Sequence, residues 1–279
     1  MLKRWFALIT LLLLTGCSTQ FFYNRLDWFA AQYVDRYVSL NDSQQAMLKQ
    51  SVWKVRQWHR TQQIPLYIEN IDTLLEVKPS EVTPAKISEQ FFIIRDFSNQ
   101  VAQQVIPELY PLFMSLEPKQ ADELFDNLGE EYQEELVEYQ NLSQQERWEK
   151  SAKRMQEALE SWIGDLSQQQ KDMVTKWSMQ RPPMREDWIK QKQINKSELQ
   201  VLYLQRNDSD AFKQRFLSSL QNPEALYTNE FADKVDRNRQ ITFEMLSQAI
   251  QNMSDKQLEH YHEKLRDWRD ILQDLNRQG

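Results

Sequence analysis

Three histidines, one cysteine and 41 carboxylates are the side chains of this 279-residue chain that could do chemistry. His59 follows Trp58 and lies between Arg56 and Arg60, which reads as a boundary position on a helix rather than a poised base. His260 and His262 are two residues apart, so on a helix they point to different sides and cannot chelate one metal in regular geometry. No cysteine cluster, His-Glu-x-x-His run or EF-hand loop occurs, and neither a metal nor a cofactor is expected. Most carboxylates stand in runs such as GEEYQEELVEY, the pattern of a solvated helix face. There is no Gly-x-Ser-x-Gly and no plausible Ser-His-Asp ordering. Four glycines (16, 129, 164 and 279) leave no glycine-rich phosphate loop. No residue is expected to be catalytic, and the chain is not expected to be an enzyme.

Cys17 has a different chemistry. Met1-Leu2-Lys3-Arg4 is a short basic region, and Trp5 to Leu14 is an apolar run about half as long as the roughly 20 residues a spanning helix needs. That run fits the apolar stretch of a secretory signal. It ends in Leu14-Thr15-Gly16-Cys17, which resembles the bacterial lipobox. The resemblance implies cleavage before Cys17 and a covalent lipid on it, with residues 1–16 removed as signal peptide. Ser18 is not the aspartate that resembles an inner-membrane retention signal. The implied location is the outer membrane, lipid-anchored and facing the periplasm. Two or three acyl chains anchor a protein stably where one does not.

As the sole cysteine, Cys17 leaves no partner for an intrachain disulfide. Loss of Lys3 and Arg4 with the signal would leave 32 basic against 41 acidic side chains, a net of −9. So acidic a domain is not expected to bind nucleic acid or anionic lipid through bulk charge. The expected partners are the membrane, through the lipid, and another envelope protein.

The elements behind these residues are helical throughout. Gln, Glu, Leu, Lys and Arg are abundant, and no stretch alternates like a strand. Apolar residues recur at helical spacing, as in Leu26, Phe29, Ala30, Tyr33 and Tyr37, or Ile87, Phe91, Ile94, Phe97, Val101 and Val105. Leu258, Tyr261, Leu265, Trp268, Leu272 and Leu275 follow a heptad spacing suited to packing along another helix. Pro65 is expected to kink one long helix, and a break is expected near Asn195. The expected fold is all-α, a bundle of about eight to ten helices, several of them long and proline-kinked, with no β-sheet. Residues 17–23 are expected to form a lipidated tether and 24–279 a single periplasmic domain.

A recurring pentapeptide starts these helices. An oxygen-bearing N-cap accepts from the first turn, and a Gln or Glu three residues on reaches back to the N-cap N–H. The pairs are Asn41 with Gln44, Ser143 with Glu146, Ser167 with Gln170, and Ser254 with Gln257. Leu40, Leu142, Leu166 and Met253 precede the caps, where an apolar residue can staple onto the helix. In LEPKQ, Glu117 is a poor cap, though Pro118 still starts a helix. The segments from Leu40 and Leu166 also share a later apolar residue, a Trp and a proline, a weak internal repeat whose halves would meet near 140–165.

Tyr23, Asn24, Leu26, Asp27 and Trp28, then Tyr33, Asp35, Tyr37 and Val38, resemble the opening of an uncharacterised family of helical Gram-negative lipoproteins. That resemblance implies location and fold but no chemistry. The Leu-Ser-x-x-Gln motifs resemble, more loosely, those of the periplasmic chaperones Spy and CpxP. Glu160-Ser161 is similar to the Glu-Ser of helical lytic transglycosylases, without that family's glycine-containing motifs.

Asn24, Arg25, Asp27, Trp28, Tyr33, Asp35 and Tyr37 form the candidate membrane-proximal cluster. In one reading it is structural: Asn24 caps the first helix and Trp28, Tyr33 and Tyr37 dock it on the body. In the other it is a docking surface for a partner, since Trp, Tyr and Arg dominate hot spots. The expected function is a non-enzymatic scaffold, adaptor or chaperone-like module for another envelope component. The alternative is a carboxylate-based peptidoglycan hydrolase.

Overall fold

The computed structural model describes residues 16–207 and 209–278, and among these every regular element is a helix. The expected signal segment through Thr15 lies outside them, and none of the described helices is long and apolar enough to cross a membrane. The helices are α1 Gly16–Asn24, α2 Leu26–Val34, α3 Asp42–Trp58, α4 Ile64–Leu75, α5 Pro84–Ser115 and α6 Pro118–Gln140. They continue as α7 Gln144–Ile163, α8 Gln168–Gln180, α9 Arg185–Leu204, α10 Asp210–Gln221, α11 Asn229–Gln251 and α12 Asp255–Arg277.

The all-α expectation holds, with twelve α-helices among the described residues because one long stripe is divided and the expected tether is itself helical. Arg25 separates α1 from α2, and a π-helical turn, His59–Gln63, separates α3 from α4. Pro65 accounts for the second division. Lacking an N–H, it cannot bond the carbonyl four residues back, and its ring would crowd that carbonyl; a widened turn just ahead relieves both. The expected break near Asn195 is absent, since α9 runs through it and Gln191 Nε2 bonds Asn195 Oδ1 at 2.9 Å on the next turn. Asn222-Pro223 opens only a short 3-10 turn, and Thr228 caps the long helix α11 instead.

Residues 17–23, expected as a free tether, are helical. They belong to α1, which lies against α12, with Gln20 Nε2 3.4 Å from the Asp274 carboxylate. Phe22 and Tyr23 give this short segment an apolar side worth covering once α12 is there to cover it.

The helices follow one packing scheme twice. α3 packs on α5 as α8 packs on α11, while α4 lies on α12 as α9 lies on α6, and α5 meets α11 between them. Each half thus covers a helix of the other. One core gathers Val38, Phe113, Leu116, Phe125, Leu202 and Phe216; the second gathers Leu159, Ile163, Leu166, Val174, Trp177 and Met245. Gly164 closes α7 at φ 75°, a conformation that favours glycine, and turns the chain into the cap at Ser167.

Candidate binding site

The capping boxes form at all four expected places. The side chains of Asn41, Ser143, Ser167 and Ser254 each accept from the N–H three residues on, and the Gln or Glu there accepts from the cap N–H. Two pairs of boxes then join across helices. Gln44 Nε2 donates to Gln120 Oε1 at 2.9 Å, and Gln120 Nε2 donates back to Gln44 Oε1 at 2.7 Å. Gln170 and Gln257 exchange amide bonds in the same way, at 3.2 and 2.9 Å.

The remaining amide hydrogens are used on backbone. Gln44 reaches Ser115 O, Gln120 reaches Ser39 O and Gln257 reaches Asp165 O, in each case the carbonyl two residues before the partner's cap. Gln170 takes Ala249 O instead. A glutamine suits this clasp because it accepts and donates at once, whereas a glutamate only accepts. Glu146, in the Ser143 box, accordingly stays exposed and bonds only Ser143. Leu40, Leu116, Leu166 and Met253, the residue before each clasped cap, all pack into the two cores. Gln120 was not singled out from the sequence. Its signal was the same Leu-to-Gln spacing in LEPKQ, obscured by Glu117 at the cap, whose N–H Gln120 Oε1 accepts at 3.0 Å.

The membrane-proximal cluster divides into inward and outward members. Asn24 does not cap α2: position 25 is the cap, and its side chain makes no capping bond. The helix needs none, because α1 runs almost directly into α2, with Arg25 N bonding Phe22 O and Phe29 N bonding Arg25 O, each at 3.1 Å. Asn24 turns to the body, where its carbonyl accepts from Arg56 and its side chain from Arg60. Arg60 also stands over the Tyr23 ring at 5.3 Å and donates to Gln278 O. Tyr37 is buried and donates to the Glu131 carboxylate, so burial, then that bond, raise its phenol far above the usual range.

Tyr33 does not bury as the stripe implied, being 59% exposed, while Trp28, outside that stripe, is 50% exposed. Tyr33 lies edge-on to Tyr37 with Arg36 over both rings, while Arg25 and Asp35 face solvent and Asp27 is half-buried.

A pocket of about 830 Å³ opens where the two halves meet, between α4, α5, α7, α11 and α12. α4 leans on α12 rather than along α5, so Ile71 and Leu74 face Ile87, Ile94 and Phe97 across a trough floored by Leu265. Ile94 and Trp162, expected in core stripes, are 52% and 42% exposed at its edge. Polar groups interrupt the apolar wall at Asn70, Thr73, Gln90 and Ser98. Gln90 Nε2 is buried and has no hydrogen-bond partner among the described residues.

Burial lowers the pKa of His59, whose Nδ1 is 3.1 Å from the Tyr23 hydroxyl. The two shifted carboxyls, Glu123 and Glu146, are both shifted downward, by bonds from Ser39 and Ser143. Glu160 sits 3.8 Å from Lys171, and Ser161 bonds the Ala158 carbonyl, an ordinary helix-surface arrangement. No group of three potential metal ligands comes together among the described residues.

No curated protein and no solved structure matches the chain. A family of unknown function, DUF6279, matches residues 36–232, well over half its length, from just before the Gln44 clasp into α11. The chain belongs to this DUF6279 family.

Proposed function

We propose that this protein is a non-enzymatic binding module of the bacterial envelope, held at the outer membrane by lipid on Cys17. It receives an apolar segment of another envelope protein in the trough between α4, α5 and α12. The observation that carries this reading is the trough itself: about 830 Å³, walled by aliphatic and aromatic side chains and holding the buried Gln90 amide, which has no hydrogen-bond partner among the described residues. Its size is that of a ligand site.

The spacing of its polar groups favours a peptide over a lipid tail. Gln90 and Ser98 are eight residues apart on α5, about 12 Å at helical rise. Asn70 and Thr73 add to them from α4. A peptide brings carbonyls and N–H groups at intervals along its length, whereas an acyl chain is polar at one end only. Glu89 is the only carboxylate on the wall and is exposed, which supports binding over the hydrolase alternative. The lipobox and the chaperone-like motifs agree with an envelope protein that handles other proteins, though the motifs act here as caps and clasps.

Photocrosslinking in intact cells tests the proposal. A photoreactive residue at Ile94 should capture one envelope protein. Leu246→Trp, which fills the trough, should abolish that capture while the protein still folds and melts cooperatively. Capture that survives the filled trough, or no capture at Ile94, would overturn it.

A further inference from the structure

We infer that α1 and α2 lie flat on the membrane surface, seated by a stripe of outward-facing side chains that begins four residues after the lipidated cysteine. This rests on the proposed acylation of Cys17. α1 and α2 form nearly one helical rod, broken only at Arg25. One side of the rod faces the body: Tyr23, Leu26 and Ala30 line a hollow of about 420 Å³ against α3 and α5. The opposite side carries Phe21, Arg25, Trp28 and Gln32, spaced four, three and four residues apart and all exposed. Phe21 is 58% and Trp28 50% exposed, although α1 packs on α12 and α2 on α3. Cys17 stands four residues before Phe21 in the chain, so a lipid attached there would hold the stripe close to the bilayer.

The chemistry of the stripe matches a bilayer interface. Trp and Phe favour the headgroup level, and Arg25, 5.8 Å over the Phe21 ring, is placed to meet a lipid phosphate without leaving that ring. Bulk charge is not needed, consistent with an acidic chain. The geometry also sets the orientation. Trp28 is seven residues beyond Phe21, about 10 Å along a helix, while each interfacial layer is only about 5–8 Å thick. Both side chains can share that layer only if the rod lies along the membrane plane. The anchor keeps the stripe at high local concentration beside the surface, so a contact too weak to recruit a free protein is still made.

The test uses the lipidated full-length protein in vesicles of phosphatidylethanolamine and phosphatidylglycerol. Acylation consumes the only native thiol, so Phe21→Cys, Trp28→Cys or Gln32→Cys each supplies a unique site for an environment-sensitive fluorophore. Relative to the same sites in acyl-free Cys17→Ser protein in solution, all three probes should emit further to the blue. Each should also lose severalfold of its accessibility to aqueous quencher. Phe21→Ser with Trp28→Ser should return the probe at position 32 to the aqueous response while circular dichroism stays unchanged. Probes at 21 and 28 that stay aqueous on an anchored, palmitate-labelled protein would overturn the flat docking. Absence of palmitate label would instead overturn the acylation on which it rests.

Discussion

The α4–α12 and α6–α9 crossings occupy corresponding places in the two halves, yet one lines a trough and the other is bridged by ion pairs. At α6–α9, Lys192 Nζ sits 2.9 Å from both oxygens of Glu135 and 5.1 Å over the Tyr132 ring. Arg185 adds a second cation at 3.3 Å from Glu135. Lys196 Nζ reaches the Phe125 carbonyl beside Gly129, where a Cβ would come within 2.8 Å of that amine. Long polar side chains span the gap there. At α4–α12 the facing residues are Tyr67, Ile71, Leu74, Tyr261 and Leu265, and the ion pair Arg269–Asp72 completes the contact. Aliphatic side chains cannot reach across a gap to bond one another, so where the π-turn and Pro65 set α4 apart from α5 the space stays open. One scaffold used twice can therefore be bridged by ion pairs at one crossing and leave a trough at the other.

The largest expected effects come from breaking the clasps that hold both crossings. Gln170→Leu should cost about 2–4 kcal/mol, because it leaves the buried Gln257 amide short of a partner and removes half of a capping box. Gln170→Leu with Gln257→Leu should cost less than the sum of the two singles, since removing both partners orphans neither. Gln120→Leu should cost about half as much as Gln170→Leu, because Gln120 is only half-buried and water can replace its bonds. Urea unfolding measures all of these, and equal losses in the two halves would break the distinction.

Smaller effects belong to single caps and to the crossings themselves. Ser143→Ala and Ser167→Ala should each cost about 1 kcal/mol, seen as a lower melting temperature with unchanged helical circular dichroism. Glu135→Ala at the bridged crossing should cost up to about 1 kcal/mol and become less harmful as salt rises. Ile94→Trp at the open crossing should change stability by less than about 0.5 kcal/mol while blocking occupancy of the trough.

The smallest expected effect is a pH dependence. The pKa of His59 is lowered in the fold by burial, so the unfolded chain binds its proton first. Its contribution is intact above the unfolded value of about 6.5 and is lost as the pH falls below it toward the folded pKa. The melting temperature should fall on acidification through this window, and His59→Gln should flatten that part of the profile.

Much of the local structure was readable along the chain because its causes are local. An oxygen at the cap and a Gln or Glu three residues on define a helix start whatever surrounds it, and all four expected boxes form. Helical spacing of apolar residues likewise identified the stripes on α5 and α12. It did not show that Ile94 and Trp162 would edge a trough, or that Trp28 and Tyr33 would stay exposed. A periodic stripe says that one face is apolar. Whether another helix closes over it depends on where that helix is held.

Composition and spacing by themselves thus determined an all-helical chain and its helix starts, because propensity and capping act over a few residues. Tertiary structure decided which glutamines clasp, which way the α1–α2 stripe faces, and which of two like crossings lines a trough. Those outcomes join residues 76 and 87 positions apart in the clasps, and up to about 200 across the trough. At such separations only the packing of whole helices brings side chains together, and no short pattern in the sequence records it.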